Sequence, residues 1–352
     1  MRMRRAFWVT LAGLSLAGGA ALVISQPLRA QLIWQIQAGA PDLSDVGVAM
    51  PDGLRLATDV YLPAPGLRGT GFRGPAVLMR LPYGKRSYGE IRFWVNILLP
   101  EGYAVVVQDM RGRGNSDGVF APWPNEGADG AATLDWITAQ GWSDGAVGTL
   151  GCSALGESQL MLAALNHPAH RAMVPMGAGG AAGTLEGRHT YFGAFEGGIF
   201  QLASGIGWFG TAGEKTPGRY APEGGDLAAA LQTLPIIGAV RRLRHDPTDY
   251  EAFLEHFGDT AWWNDMGYIS PEDRPTVPAF YIDSWYDPSI GGTLALQRAS
   301  RLAGAETQTL ITPGTHCSYL GADEPGMVGD LPLAPQGRAA PVGQILAFLA
   351  AT

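Results

Sequence analysis

The sequence predicts an α/β fold: a mostly parallel sheet with helices on both faces and an inserted, mainly helical cap. Three observations carry this. Runs rich in Val, Ile, Leu and Tyr alternate with helix-like runs along much of the 352 residues, the pattern of parallel strands joined by crossover helices. One run, YAVVVQD at 103–109, has the unbroken apolar stretch of a strand covered on both faces. The alternation lapses between about 180 and 273, in a stretch rich in Gly, Trp and Phe, and resumes at 277. A cap inserted into one core explains the lapse; two sequential domains would leave the last two strands without a sheet. The expected division is a first core part at 40–184, a cap at 185–273 and a second core part at 274–352.

Taken in order, residues 1–30 read as an export segment. MRMRR is basic, residues 6–24 are apolar and uncharged, and a cut after Ala30 is plausible in PLRA-QL. Arg4-Arg5-Ala6-Phe7 also resembles a twin-arginine signal. The expected location is periplasmic or secreted, with an uncleaved anchor helix as the alternative because the apolar run is about long enough to span a bilayer. Strands are expected at 54–62 (after the turn Pro51-Asp52-Gly53), 75–80, 103–109, 146–151, 172–177, 277–283 and 307–312. Core helices are expected at 91–99, 131–140, 158–166 and 342–350, with helical patches at 226–234 and 249–257 in the cap. Composition is that of a globular chain, 46% hydrophobic and 16% charged, and the net charge of −8 argues against a nucleic-acid partner.

The stretch VGTLGCSALGESQLMLAAL, 147–165, holds the chemistry. A strand-like run meets Gly151, Cys152 and Ser153 and turns at once into a helix, as a nucleophile elbow requires. The usual G-x-S-x-G spacing is not kept: Gly151 and Gly156 flank Ser153 as G-x-S-x-x-G, and glycines are common enough in this chain that the string alone could be structural. A serine nucleophile needs a base, and the base an orienting acid. His167 and His170 read as surface-turn residues past the elbow helix, and His189, His245 and His256 fall in the cap. His316 follows the strand run TLIT and the turn Pro313-Gly314-Thr315, where such a sheet presents its loops. Asp287 follows VPAFYIDSWY in the same way, with Asp283 as a competitor that would simply end the strand. The order Ser153, Asp287, His316 is that of the α/β-hydrolases.

Further segments carry a resemblance. RLPYGK at 80–85, GYAVVVQDMRGRGNSDG at 102–118, the run LDWITAQGWSDGAVGTLGCSALG, SWYD at 284–287 and PGTHC at 313–317 resemble the cocaine esterase and X-Pro dipeptidyl-peptidase family of α/β-hydrolases. The resemblance implies Ser153 as nucleophile, Asp287 as acid and His316 as base. It implies an oxyanion hole made by the Tyr83 hydroxyl and the Ala154 backbone N–H, and it makes G-x-S-x-x-G the family's own spacing. Ala154 stands where the family often has an aromatic residue. The stretch after His316 is too short for the β-sandwich domain with which such proteins usually continue, so the resemblance carries chemistry and no particular substrate.

The two cysteines, Cys152 and Cys317, flank nucleophile and base. This Cys-Ser…Asp…His-Cys arrangement resembles that of fungal tannases and feruloyl esterases, where a disulfide ties the catalytic loops, and a Cys152–Cys317 bond is expected here. Two small buried thiols are the alternative. The expected reaction is acyl transfer from a small-molecule ester to water, with no metal or organic cofactor. Amide or aminoacyl substrates are the second reading, with Glu157 and Glu186 as ammonium anchors or, more ordinarily, surface acids. Phe192, Phe195, Trp208 and Trp285 are candidates for the acyl pocket; the cap aromatics among them would serve equally as cap core. Two rivals are weaker. A dinucleotide site at GRGNSDG lacks a following helix, since PWP comes next, and a non-catalytic binding protein would have no use for a triad.

Overall fold

The computed structural model describes residues 39–64, 72–192, 194–218, 225–318, 327–332 and 341–352; the export segment lies outside them. No helix among the described residues is long and apolar enough to cross a membrane. Strands β1 (Leu43–Ala49), β2 (Arg55–Tyr61) and β3 (Gly74–Leu81) lead into helix α1 (Gly89–Leu98). Then follow β4 (Ala104–Asp109), α2 (Glu126–Thr138), β5 (Ser143–Cys152), α3 (Ala154–Ala163) and β6 (His170–Met176). The chain next leaves the sheet for a region of short elements: a hairpin of β7 (Phe195–Glu196) and β8 (Ile199–Phe200), then helices α4 (Leu202–Ala212), α5 (Leu227–Leu231), α6 (Tyr250–Glu255) and α7 (Thr260–Asp265). It returns with β9 (Ala279–Ser284), α8 (Ile290–Leu302), β10 (Thr307–Thr312) and the closing helix α9 (Val342–Ala351).

The main sheet has the order β1-β2-β4-β3-β5-β6-β9-β10. β1 and β2 pair antiparallel, as do β2 and β4, and every other pairing is parallel. Because β3, β5, β6, β9 and β10 run the same way, the loops after them open on one edge. Val60, Leu78 and Val106 from the sheet pack with Leu134, Ile137 and Leu162 from α2 and α3, which explains why these strands read as apolar runs.

β1 has no counterpart in the sequence reading. Only Val48 of its seven residues is buried, so an edge strand such as this shows no apolar period. Helix α8 was also missed, since it opens on Ile-Gly-Gly and its apolar stripe is thin. His170 is not a surface residue: it starts β6, is buried, and lies 2.8 Å from Thr149 Oγ1. Burial pushes its pKa down to about 3.

One buried ionic cluster pins the segment after β3. Lys85 Nζ reaches Asp45 at 2.6 Å and Asp109 at 2.9 Å, and Asp109 also accepts the Lys85 N–H at 2.7 Å. Burial alone would push the Lys85 pKa down, but Asp109 and Asp59 outweigh it and hold the ammonium charged. This cluster fixes the backbone two residues beyond Tyr83. Arg111, by contrast, pairs with Asp129 at 2.6 Å and with Asp52, so it braces β4's loop against α2.

Candidate active site

Ser153 lies between the end of β5 and the start of α3, with φ 61° and ψ −125°. A non-glycine residue rarely adopts positive φ, and the corner is held by hydrogen bonds on both sides. Ser153 N donates to Met176 O at 2.8 Å, while Gly156 N and Glu157 N both donate to Ser153 O, at 2.7 and 2.8 Å. Gly156 explains the motif spacing. A Cβ there would come within 2.7 Å of Ala178 Cβ and 2.9 Å of Met176 O, so only glycine lets α3 sit this close to the end of β6. The neighbouring Cys152 N–H donates to Glu90 Oε1 at 2.9 Å.

The loops after β9 and β10 supply the partners. His316 Nε2 lies 2.9 Å from Ser153 Oγ, and His316 Nδ1 lies 2.6 Å from Asp287 Oδ2. The other Asp287 oxygen accepts Ser289 N at 2.9 Å and Ser289 Oγ at 2.7 Å, just ahead of α8. Asp283 does not reach the imidazole. Its carboxyl binds its neighbour's Ser284 N–H at 2.7 Å and Thr293 Oγ1. Gly177, at φ 52°, lies beneath the group: a Cβ on it would stand 3.2 Å from Asp287 Oδ2 and 3.3 Å from His316 Cε1.

Burial and neighbouring charge pull these groups in opposite directions. Burial pushes the Asp283 carboxyl up, and the neighbouring Asp287 carboxylate pushes it further. Asp287 is also opposed by burial, but its bond to His316 and the imidazolium charge prevail and hold it below the usual carboxylate range. For His316, burial lowers the pKa, and Asp287, Asp283 and Glu157 together lift it above the ordinary 6.5. The imidazole side chain is 44% exposed against 0% for Asp287, so the base faces open space while its orienting acid does not.

Cys152 and Cys317 form a disulfide with Cα atoms 6.1 Å apart, joining the elbow to the histidine loop across 165 residues. These two sulfurs and His316 lie within 4.8 Å of one another. Bonded sulfurs are poor metal ligands, however, since it is the thiolate that coordinates, and both imidazole nitrogens already have partners.

Tyr83 sits two residues beyond β3. β3 lies beside β5 in parallel register, Leu78 opposite Thr149, so the loop that carries Tyr83 leaves the same sheet edge as the serine corner. Its hydroxyl accepts a hydrogen bond from Trp208 Nε1 at 3.1 Å. Ala154 is the first residue of α3, and its N–H is one of the helix-start amides that no helical carbonyl can receive. Phe192 and Trp208 join one aromatic cluster with Trp123, ring centroids 4.4 to 6.1 Å apart. Phe195 is buried elsewhere in the cap, against Phe200, Phe257 and Trp263, and is cap core. Trp285 is 66% exposed.

Glu186 is a surface acid paired with Arg298 at 2.5 and 2.6 Å, but Glu157 is not. It is 6% exposed, one turn into α3, and its Oε2 accepts the Trp123 indole at 2.6 Å. Burial pushes it up to about 7. Burial likewise lifts Glu90 to about 7. Nothing in the sequence marked Glu90, Gly177 or the environment of Glu157; each depends on elements far away along the chain.

A sheet of this order, with a left-handed serine corner after its fifth strand, is the α/β-hydrolase fold. The wider comparison agrees: an aminopeptidase structure from a marine-sediment archaeon (Thaumarchaeota archaeon) superposes with a TM-score of 0.67 at 18% identity, covering 87% of this chain and 53% of that one. An α-amino acid ester hydrolase structure gives 0.60 at 21%, covering 79% and 48%. Over residues 52–318 the sequence matches the X-Pro dipeptidyl-peptidase (S15) family, and the chain belongs to it. The cocaine esterase of Rhodococcus sp. is 29% identical over 297 residues, 79% of this chain and 49% of that protein. The chain thus spans about half the length of that curated relative.

Three outcomes follow from the geometry. The acidic limb of kcat/KM against pH should fall above pH 6.5, because His316 must lose its proton to act and Asp287 makes that harder. Asp287→Asn should move the limb to lower pH and lower the plateau by about 10⁴-fold, a loss typical of such triads. Replacing both cysteines by serine should lower unfolding stability in urea by up to about 5 kcal/mol, the chain-entropy value for a loop this long, and should lower kcat with it.

Proposed function

We propose that the chain is a serine hydrolase that cleaves carboxylic esters of small molecules through an acyl-enzyme. The observation that carries this is the continuous series Asp287–His316–Ser153, with contacts of 2.6 and 2.9 Å. His316 Nε2 takes the Ser153 proton as Oγ attacks the ester carbonyl carbon. Tyr83 and the Ala154 amide donate to the resulting oxyanion, each worth roughly 3–4 kcal/mol in comparable sites. The proton on His316 then passes to the departing alkoxide, and the alcohol leaves. Water, deprotonated by the same nitrogen, attacks the acyl carbon; the acyl–Oγ bond then breaks, His316 returns the proton to Ser153 Oγ, and the carboxylic acid leaves. Asp287 holds the imidazole tautomer throughout. The similarity to cocaine esterase and to a putative serine esterase of Mycobacterium bovis, 36% identical over 149 residues, supports esters as the bond cleaved.

Glu157 favours a second reading, aminoacyl esters or amides. A buried acid one turn from the nucleophile, bounded by Trp123, has the chemistry to receive a substrate ammonium. The expected location remains an oxidising compartment, which the disulfide supports.

p-Nitrophenyl esters of rising chain length, run beside aminoacyl p-nitroanilides, test both. Ester hydrolysis should be the faster, and Ser153→Ala should lower kcat by about 10⁵-fold or more. On simple acyl esters Glu157→Gln should move the acidic limb to lower pH, because Glu157 helps lift His316, and leave the plateau little changed. A further, selective loss on the aminoacyl compounds would assign Glu157 to ammonium binding, and an equal effect on both substrate classes would rule that out.

A further inference from the structure

Tyr83 and Trp208 are 125 residues apart in sequence, yet the Trp208 Nε1–H donates to the Tyr83 hydroxyl oxygen at 3.1 Å. Tyr83 belongs to the core, in the loop after β3. Trp208 is on α4, in the region inserted between β6 and β9. Its ring is oriented by neighbours on several sides: edge-on to Phe192 at 4.4 Å and to Phe209 at 5.2 Å, and against Trp123 and Phe120 at 6.1 and 6.2 Å. The indole therefore meets the phenol in a set direction.

The hydrogen-bonding inventory of the two groups makes the contact one-way. An indole N–H only donates, whereas a phenol has one proton and lone pairs to accept with. The Tyr83 oxygen must be the acceptor here, so its own proton turns away from Trp208. Accepting a hydrogen bond also polarises a hydroxyl and makes it a better donor in turn. A donor aimed beforehand at the place where negative charge develops is what acyl transfer needs, since no reorganisation is then left for the transition state.

We propose that Trp208 is a positioning residue for hydrolysis: its indole N–H orients the Tyr83 hydroxyl toward the oxyanion, so the oxyanion hole is complete only when helix α4 is seated on the core. The proposal rests on the serine hydrolase reading above. It assigns Trp208 a role in the chemical step, whereas a pocket-wall role would act through shape alone.

The test reads the second-order rate at which an alkyl fluorophosphonate modifies Ser153, alongside kcat and KM for p-nitrophenyl butyrate. In the labelling step Ser153 Oγ bonds to phosphorus, fluoride departs, the serine proton goes to His316, and the charged phosphoryl oxygen occupies the oxyanion position. Trp208→Phe keeps an aromatic ring and removes the N–H. It should slow labelling and kcat about 2- to 13-fold, the size expected for losing one neutral hydrogen bond, with KM changed less than about twofold. Tyr83→Phe should cost about 100-fold, and adding Trp208→Phe to it should cost less than a further factor of about two, because the route of action is already gone.

Where Trp208→Phe disturbs folding, the benzothienyl analogue of tryptophan at position 208, with sulfur in place of N–H, keeps the shape and should show the same loss. Equal slowing in the Tyr83 and Tyr83→Phe backgrounds would overturn the proposal, as would unchanged kcat with the benzothienyl analogue. A wild-type protein labelled at Ser153 but indifferent to the indole N–H sinks this proposal alone. Failure of wild-type Ser153 to react sinks the hydrolase reading and this proposal together.

Discussion

The left-handed corner at Ser153 is the constraint on which the site depends. Holding a serine at φ 61° and ψ −125° costs of order 1–3 kcal/mol, and the surrounding structure has to supply it. Hydrogen bonds from Gly156 and Glu157 to Ser153 O, and from Ser153 N to Met176 O, do so. They can form only because Gly156 has no side chain to keep α3 away from β6. The spacing G-x-S-x-x-G is thus a packing requirement between one helix and the neighbouring strand. The same corner lifts the hydroxyl out of the sheet edge and starts a helix whose first amides are free of helical partners.

Acids surround this corner in numbers that would be costly if all were ionised. Asp287 keeps its charge because an imidazole and two donors from Ser289 stabilise it. Asp283, four residues earlier, is pushed toward its neutral form by burial and by Asp287 itself. Glu90 and Glu157 lie near pH 7 through burial. Asp287 is the main acid that lifts the imidazole pKa, with smaller contributions from Asp283 and Glu157, and burial keeps those two from adding full unpaired charges beside it.

The strands, the elbow and the two loops that follow β9 and β10 were legible because the central strands carry apolar runs and because function falls at their ends. Ser153, Asp287 and His316 each stand just past such a run. What lay hidden depends on contacts with no period along the chain. β1 is an exposed edge strand. Glu157 looks like an ordinary first-turn acid until Trp123, 34 residues upstream, closes over it. Phe195 and Phe192 are three residues apart, yet one packs inside the cap and the other joins the rings around Trp208. Composition alone could not separate them, because cap core and pocket wall use the same aromatic residues.

The disulfide addresses a weakness that the triad's hydrogen bonds leave. The loop that carries His316 runs from Pro313 to Ser318 with turn contacts of its own, chiefly Ser318 with Thr315, and the imidazole is part-exposed. Ordering a backbone residue costs roughly 1–2 kcal/mol, so the four residues from Pro313 to His316 cost more than the roughly 1.5–3 kcal/mol that a charge-assisted bond to Asp287 returns. A covalent link at Cys317 changes the balance. It confines the residue next to the base to within 6.1 Å, Cα to Cα, of the residue next to the nucleophile. Much of the ordering is then already imposed before His316 and Ser153 meet. The bond sits beside the reacting atoms and takes no part in proton transfer, which suits a group whose function is to hold two loops at a fixed separation.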